Sequence, residues 1–188
     1  MTTMTPARRR LTTVVRRWPT ALAVGMSALT MDPSGADSSV EAYGEILPFL
    51  ALLYLIVAAL RRRGASWPVL IAGFAGITVL ELLGVVAPSS AAVAVALVVL
   101  VWSAVSGRLT QSGTLRVQAL GMLGFGALAL IGLAVDPQLG RYVVAAGWFL
   151  HGIWDFVHLR LDRVVSRSYA EWCGVVDVLV AAELLLLG

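Results

Sequence analysis

The stretch WFLHGIWDFVH, residues 148–158, places two histidines and one aspartate inside a segment that is otherwise typical of a lipid-buried helix. At 100° per residue, His151, Asp155 and His158 recur at i, i+4 and i+7 and therefore share one helix face. An ionisable group near the bilayer centre costs about 2.5–3.5 kcal/mol on insertion scales, so this face is predicted to point into the protein. Two interpretations follow: a hydrogen-bonded His151–Asp155 pair that only joins helices, or a functional site.

The composition around this stretch is that of a polytopic membrane protein. The chain has 188 residues, of which 59% are hydrophobic and 13% charged, and its mean hydropathy is +0.88; a soluble domain is rarely so apolar. All 14 basic residues are arginines, which excludes a lysine Schiff base. The single cysteine, Cys173, excludes an intrachain disulfide. The arginines lie in short clusters between apolar segments, so we predict no nucleic-acid partner.

Seven apolar segments are predicted to span the membrane and to form one all-α bundle. The first is short and could instead be a signal peptide or a surface helix. We assign one domain, 1–188, with a basic cytoplasmic segment at 1–17 and the bundle at 18–188. Polar connections are predicted at 32–41 and 107–116, and a tight turn at 136–140. The predicted spans are 18–31, 43–60, 66–86, 91–106, 117–135, 142–159 and 170–187.

The arginine distribution predicts the orientation of this bundle. With seven crossings and a cytoplasmic N-terminus, 13 of the 14 arginines lie on the cytoplasmic side, and only Arg141 lies outside. Such asymmetry is what the positive-inside rule describes. We therefore predict an integral protein of the bacterial inner, or cytoplasmic, membrane, surrounded by membrane lipids. Its oligomeric state does not follow from these patterns.

Depth in the membrane predicts which polar residues meet. At about 1.5 Å per residue, His151 lies near the midplane, and His158 lies nearer the cytoplasmic side. The last two spans are joined by a short connection and are expected to be antiparallel neighbours. Asp177 then lies close to the level of Asp155, and the four side chains are predicted to converge.

Other candidates are placed by depth alone. Glu81, in the outer half of the third span, is the third carboxylate that could line the same cavity, although a structural role fits it equally well. Trp102, Trp148 and Trp154 lie deep, where they either pack or line a pocket for substrate, together with His158. Cys173 is more typical of a small buried hydrophobe than of a nucleophile.

The size, the seven spans and the intramembrane acids resemble those of small seven-helix membrane-bound terpene cyclases, of the fungal meroterpenoid type and its actinobacterial counterparts. In that resemblance Glu81 and Asp177 match the family's paired acidic positions, one in an early-to-middle helix and one in the last. The resemblance implies a proton-initiated cyclisation of an isoprenoid. The stretch at 148–158 is not part of the family's pattern.

These features together predict a membrane-embedded enzyme that performs acid–base chemistry on an apolar isoprenoid or lipid. The predicted catalytic residues are Asp177, Glu81, His151 and Asp155: a carboxyl kept protonated by burial can donate a proton to an alkene or epoxide. Deep aromatic faces could stabilise a carbocation.

Two alternatives remain. One is a small transporter or proton-coupled channel with an Asp/His relay, and the other is an assembly subunit without catalysis. His151, Asp155 and His158 on one helix face, together with Asp177, offer nitrogen and oxygen ligands for a metal ion. The two histidines lie about 10 Å apart along the helix axis, however, which is too far to share one ion without help. We therefore predict no metal and no cofactor.

Overall fold

A computed structural model describes residues 17–30 and 36–186, and within this part of the chain every regular element is a helix. Hydrogen bonds within a helix satisfy its interior backbone groups, as a bilayer requires. Along residues 17–30 and 36–186, eight α-helices and one 3₁₀ turn, Arg63–Ala65, follow one another. The helices are α1 (Trp18–Thr30), α2 (Ala36–Leu60), α3 (Ser66–Leu83), α4 (Pro88–Val105), α5 (Arg108–Gln111), α6 (Gly113–Ala134), α7 (Pro137–Leu161) and α8 (Arg167–Leu186).

Helix α2 forms the centre of the bundle. It packs against α3, α4, α6, α7 and α8, and its run from Leu47 to Leu55 is almost fully buried. Helices α7 and α8 form an antiparallel hairpin with the most extensive contact in the molecule; α6 covers one side of α7, and α1 packs against α8. The core therefore lies between α2 and the C-terminal hairpin.

Four of the described helices are long and apolar enough to cross a membrane: Val40–Leu60, Arg63–Leu83, Pro88–Val105 and Gly113–Ala134. This finding supports the prediction of an all-helical membrane protein. Helix α1 is apolar but has only 13 residues. Helices α7 and α8 have 25 and 20 residues and carry the polar side chains that the sequence pattern singled out.

Local predictions were wrong at three connections. Residues 36–41 belong to α2, although a loop was expected there; residues 31–35 and 1–16 lie outside the described part. The expected turn at 136–140 is the start of α7: Pro137 occupies the first turn, where its missing N–H costs nothing, and the Asp136 carboxylate accepts a hydrogen bond from the Leu139 amide at 3.0 Å. The expected connection at 107–116 contains α5 and the first residues of α6.

The arginine-bearing connections meet at one end of the bundle. Arg63, which follows α2, donates a hydrogen bond from Nε to the carbonyl of Val165 at 3.1 Å and forms an ion pair with Asp162. Arg17, which precedes α1, forms an ion pair with Glu171 at 3.1 Å. The start of α1, the α2–α3 connection and the α7–α8 connection are therefore on the same side of the protein. We call it the arginine end.

Candidate functional site

The polar face of α7 meets polar side chains of α2 and α8 in the middle of the bundle. His151, Asp155 and Asp177 have no exposed surface, and Tyr54 and Cys173 are 1% exposed. His151 and Asp155 are one turn apart on α7, and Cys173 and Asp177 are one turn apart on α8. Because residues four apart lie on one helix face, each helix directs two polar groups at the other. These five residues are called the buried cluster below.

The imidazole of His151 is held by carboxylates on one edge only. Its Nδ1 lies 2.7 Å from Oδ2 of Asp177, so the ring N–H donates a hydrogen bond to that carboxylate. The same nitrogen lies 3.5 Å from Oδ2 of Asp155. Nε2 is buried and has no hydrogen-bond partner among the described residues. The ring of Phe125 packs against the imidazole edge to face, at a centroid distance of 4.9 Å.

Asp155 is held by α2. The Tyr54 hydroxyl donates a hydrogen bond to Oδ1 of Asp155, while Oδ2 has no hydrogen-bond partner within the described part of the chain. The ring of Tyr54 also packs edge to face against His151 and His158, at 5.7 and 4.9 Å between centroids. Tyr54 thus connects the two histidines of α7.

Cys173 completes the buried cluster on the α8 side. Its Sγ lies 3.4 Å from the Tyr169 hydroxyl and 3.9 Å from Oδ1 of Asp177. One possible ligand atom from each of His151, Asp155, Cys173 and Asp177 lies within 4.8 Å of the other three. These four side chains are the set in the described structure that could hold a metal ion, with one nitrogen, one sulfur and two carboxylates.

Two glycines bring α7 and α8 close enough for these contacts. A methyl group on Gly152 would lie 3.2 Å from Cβ of Asp177, and one on Gly174 would lie 3.1 Å from Cβ of Asp155. Small residues allow membrane helices to approach closely. Each aspartate therefore projects from its own helix beside a glycine of the other.

His158 lies nearer to the arginine end than His151 and Asp155, and it forms hydrogen bonds with residues outside the buried cluster. Its Nδ1–H donates to the carbonyl of Trp154 at 2.8 Å, because a carbonyl can only accept. Nε2 then accepts from the Gln118 amide at 3.0 Å. Gln118 and His158 border a cavity of about 430 Å³, which Thr114 and Arg163 also line.

The predicted site residues fall into two groups. His151, Asp155 and Asp177 come together as expected. Trp154 packs against Phe125, which contacts His151, with its ring 5.9 Å from that of Phe125 and 4.9 Å from that of His158. His158 contacts the buried cluster through the ring of Tyr54.

Trp148 is buried next to the N-terminal part of α2, away from the arginine end. Its Nε1 donates to the carbonyl of Tyr43 at 3.0 Å, and its ring packs edge to face on the Tyr43 ring. The Tyr43 hydroxyl in turn donates to Glu183 at 2.9 Å. This group is separate from the buried cluster.

Glu81 and Trp102 are not in the buried cluster. The side chain of Glu81 is exposed near the C-terminal end of α3. This helix packs mainly against α2 and contacts α8 through Trp67, in its first turn. The expectation that Glu81 lines the same cavity as Asp177 is therefore wrong. Trp102 on α4 is 47% exposed, and its ring stacks under the Arg108 guanidinium at 4.2 Å. Both lie on peripheral helices, whose positions around α2 cannot be read from depth.

Four residues of the site were missed or given another role. The sequence predicts Cys173 to be a small buried hydrophobe, and it does not predict Tyr54, Tyr169 or Gln118 as residues of the site. The spacing of Cys173 and Asp177, equal to that of His151 and Asp155, was the available signal for Cys173. Tyr54 and Gln118 lie on other helices, so no local spacing reveals them.

In His151 one ring nitrogen is hydrogen-bonded to a carboxylate, and the other has no hydrogen-bond partner in the described part of the chain. The side chain is fully buried, so water does not reach it. Such an imidazole can transfer a proton through its open nitrogen. Comparisons of the chain with known protein families, curated proteins and solved structures gave no match. The functional argument therefore rests on the geometry of the site.

Proposed function

We propose that this chain is a membrane-embedded enzyme whose buried cluster performs acid–base chemistry on an apolar isoprenoid or another lipid. The observation that carries the proposal is the fully buried imidazole of His151: its Nδ1 lies 2.7 Å from Asp177, and its Nε2 has no hydrogen-bond partner in the described part of the chain. The carboxylate fixes the ring and its tautomer, and it stabilises the imidazolium that forms when Nε2 takes a proton. His151 is then the proton-transferring group, and Asp177 orients it.

Asp155 and Tyr54 support the same chemistry. The second carboxylate, 3.5 Å from Nδ1, adds negative charge beside the imidazole, which favours its protonated form. The hydroxyl of Tyr54 holds that carboxylate in position. A proton on Nε2 is therefore available to an alkene, and a neutral Nε2 is available to a C–H or O–H group of the substrate.

Aromatic rings lie near the imidazole. Phe125 packs against the imidazole of His151, and Trp154 packs against Phe125; their faces can stabilise positive charge on a carbon intermediate. Proton-initiated cyclisation, which the terpene cyclase resemblance implies, remains one form of this proposal. Because Glu81 faces outward, the proposal assigns the proton transfer to His151 and Asp177 and not to a Glu81–Asp177 pair.

Seven crossings with a cytoplasmic N-terminus, in the inner membrane, complete the proposal. The ion pairs of Arg63 and Arg17 at the arginine end support it, because they join connections that the positive-inside rule assigns to the cytoplasm. Reporters that are active only in the cytoplasm, fused to either end, test it: we expect activity at Met1 and silence at Gly188. The reverse result at either end contradicts the topology.

Incorporation of deuterium from the solvent into a lipid product tests the enzymatic assignment. The purified protein in nanodiscs is incubated in D₂O with squalene, geranylgeraniol and a bacterial lipid extract, and products and deuterium incorporation are followed by mass spectrometry. We expect His151→Gln and Asp177→Asn to lower turnover about 100-fold or more, within the usual range for general acid–base groups.

Two controls show whether the loss is specific to this site. Glu183→Gln alters a buried acid that binds Tyr43 outside the cluster, and Glu81→Gln alters an exposed acid; both are expected to retain turnover. If Asp177→Asn keeps full turnover of a substrate that the wild type converts, the assignment is wrong. A change in thermal stability without a change in turnover supports the helix-joining role instead.

A proton relay for transport is the second candidate. The position of Tyr54 favours it, because Tyr54 contacts His158 and binds Asp155. Ionisable groups therefore form a chain from the cavity at Gln118 and His158 to the centre of the bundle. For this function, His158→Gln abolishes proton flux into sealed vesicles, measured with a pH-sensitive dye, and no chemical product forms. If the protein is instead an enzyme, His158→Gln keeps turnover, and neither the variant nor the wild type conducts protons.

A further inference from the structure

The buried cluster contains two matching pairs of donor atoms. His151 and Asp155 are four residues apart on α7, and Cys173 and Asp177 are four residues apart on the antiparallel α8. Their donor atoms lie within 4.8 Å of one another, and all four side chains are buried. Gly152 and Gly174 allow the close approach that this arrangement needs. Two i, i+4 pairs on facing helices are a compact way to surround one ion.

The charges in this cluster are not balanced by the described protein groups. Two carboxylates share one imidazole, and no arginine within residues 17–29 and 40–186 forms an ion pair with either of them. Oδ2 of Asp155 is buried without a hydrogen-bond partner in the same part of the chain. A buried carboxylate needs hydrogen bonds, a counter-charge or a metal. A divalent cation among these oxygens would supply the missing charge.

The donor set indicates the kind of ion. Imidazole nitrogen, thiolate sulfur and carboxylate oxygen together suit zinc and similar divalent transition metals, whereas calcium and magnesium prefer oxygen ligands alone. Zinc bond lengths of about 2.0–2.3 Å place tetrahedral ligands roughly 3.3–3.8 Å apart. The largest separation here is 4.8 Å, so the side chains need to move inward by about an ångström.

Neighbouring hydroxyls provide the outer partners that metal ligands usually have. Tyr54 binds Asp155, and the Tyr169 hydroxyl lies 3.4 Å from Sγ of Cys173. Such partners orient the ligands and adjust their basicity. The cluster therefore has both a set of four ligand atoms and a surrounding shell that fixes them.

We propose that His151, Asp155, Cys173 and Asp177 bind one divalent transition-metal ion of the zinc class. When the ion binds Nδ1 of His151, the proton of that nitrogen moves to Nε2, and the Cys173 thiol loses its proton to the solvent as the thiolate binds. In this state Nε2 already carries its proton and cannot take up another, so the metal-bound state is distinct from the proton-transferring state proposed above. The inference stands on the donor geometry and holds whether or not the site has catalytic activity.

Cobalt substitution tests this directly. The full chain, prepared without a polyhistidine tag, is treated with a chelator in detergent and then titrated with Co²⁺. We expect one ion per chain, together with a near-ultraviolet sulfur-to-cobalt charge-transfer band. Because Cys173 is the only cysteine, that band in the wild type identifies the site without any variant. If the folded wild type binds no Co²⁺ or Zn²⁺ at one per chain, or binds it without the band, the proposal is wrong.

Variants refine the result. Cys173→Ser is expected to lose the band, and Asp155→Asn to weaken Zn²⁺ binding by about 100-fold or more, because loss of an outer partner alone typically costs 10–100-fold. His158→Gln, which alters the other buried histidine, is expected to leave binding unchanged. Binding that depends on His158 and not on His151 would contradict the proposed ligand set. None of these readings depends on turnover, so failure of the proposed enzymatic function does not affect them.

Discussion

Helices α3 and α4 and helices α7 and α8 differ in what they bury. In the apolar windows of α3 and α4, only 11% and 22% of the residues are buried inside the protein, and leucine and valine side chains cover their outer faces. In α7 and α8 the buried set includes His151, Asp155, His158 and Asp177. The outer faces of the first pair suit a lipid surrounding, whereas the second pair is held together by polar groups that lipid could not satisfy. The exposed apolar helices therefore support the assignment to a membrane, and the hairpin carries the buried polar site.

The largest expected difference between the two pairs concerns their glycines. At Gly152 on α7, a leucine would collide with Cβ of Asp177 at 3.2 Å and with Val178 at 3.3 Å; overpacking of this kind typically costs 1–3 kcal/mol, and we expect about 3 kcal/mol. At Gly76 on α3, nothing lies within 4 Å of an added Cβ. Gly76→Leu is therefore expected to be neutral, or stabilising by up to about 1 kcal/mol through helix propensity.

Unfolding in mixed detergent and SDS measures both variants. Equal losses of stability in Gly152→Leu and Gly76→Leu would show that α3 is buried against a further surface. Helices α3 and α4 would then not differ from α7 and α8 in how deeply they are buried.

Substitution of a tryptophan in each pair of helices is expected to give a difference in stability of intermediate size. Trp148 on α7 is 3% exposed and donates to the Tyr43 carbonyl, so Trp148→Phe removes a hydrogen bond and leaves space, at a cost of about 2 kcal/mol. Trp102 on α4 is 47% exposed and stacks only with Arg108; Trp102→Phe is expected to cost about 0.5 kcal/mol. The same unfolding assay ranks the two, and a larger loss at position 102 would contradict the packing.

The smallest effect concerns the turn between α7 and α8, outside the membrane-spanning segments. The hydrogen bond and charge of Arg63 lower the pKa of Asp162 below its ordinary value of 3.8. A carboxyl whose pKa is lower in the folded state stabilises the protein above its unfolded pKa and loses this contribution as the pH falls through the folded pKa. Because Asp162 is exposed, the contribution is small.

The melting temperature between pH 5 and pH 3 tests this ion pair. The wild type is expected to lose slightly more stability on acidification than Asp162→Asn or Arg63→Gln. Identical acid profiles for all three proteins would mean that the ion pair does not contribute to stability.

Sequence periodicity and depth were sufficient to place three members of the buried cluster, His151, Asp155 and Asp177. Helical phase put His151 and Asp155 on one face, and depth put Asp177 at their level, because the short connection makes α7 and α8 antiparallel neighbours. Both arguments are local. They use only the rise and turn of a helix, which the backbone fixes.

The same arguments failed for Glu81 and Trp102, for a physical reason. Depth places a residue along the membrane normal but not around it, and the arrangement of helices about α2 depends on packing between distant segments. Tyr54 illustrates the converse. Its single hydroxyl on an apolar helix has no periodic signal, and only the tertiary contact with Asp155 shows that it belongs to the site.

That contact has a consequence for how the chain is assembled during synthesis. Tyr54 and Asp155 are 101 residues apart, so at typical translation rates of 5–20 residues per second roughly 5–20 s separate their emergence from the ribosome. Through that interval α2 is already made, and the Tyr54 hydroxyl has no Asp155 carboxylate to bind. The α7–α8 hairpin is made later, and its arrival supplies that partner; a nascent chain that stops before Pro137 leaves the central helix without it.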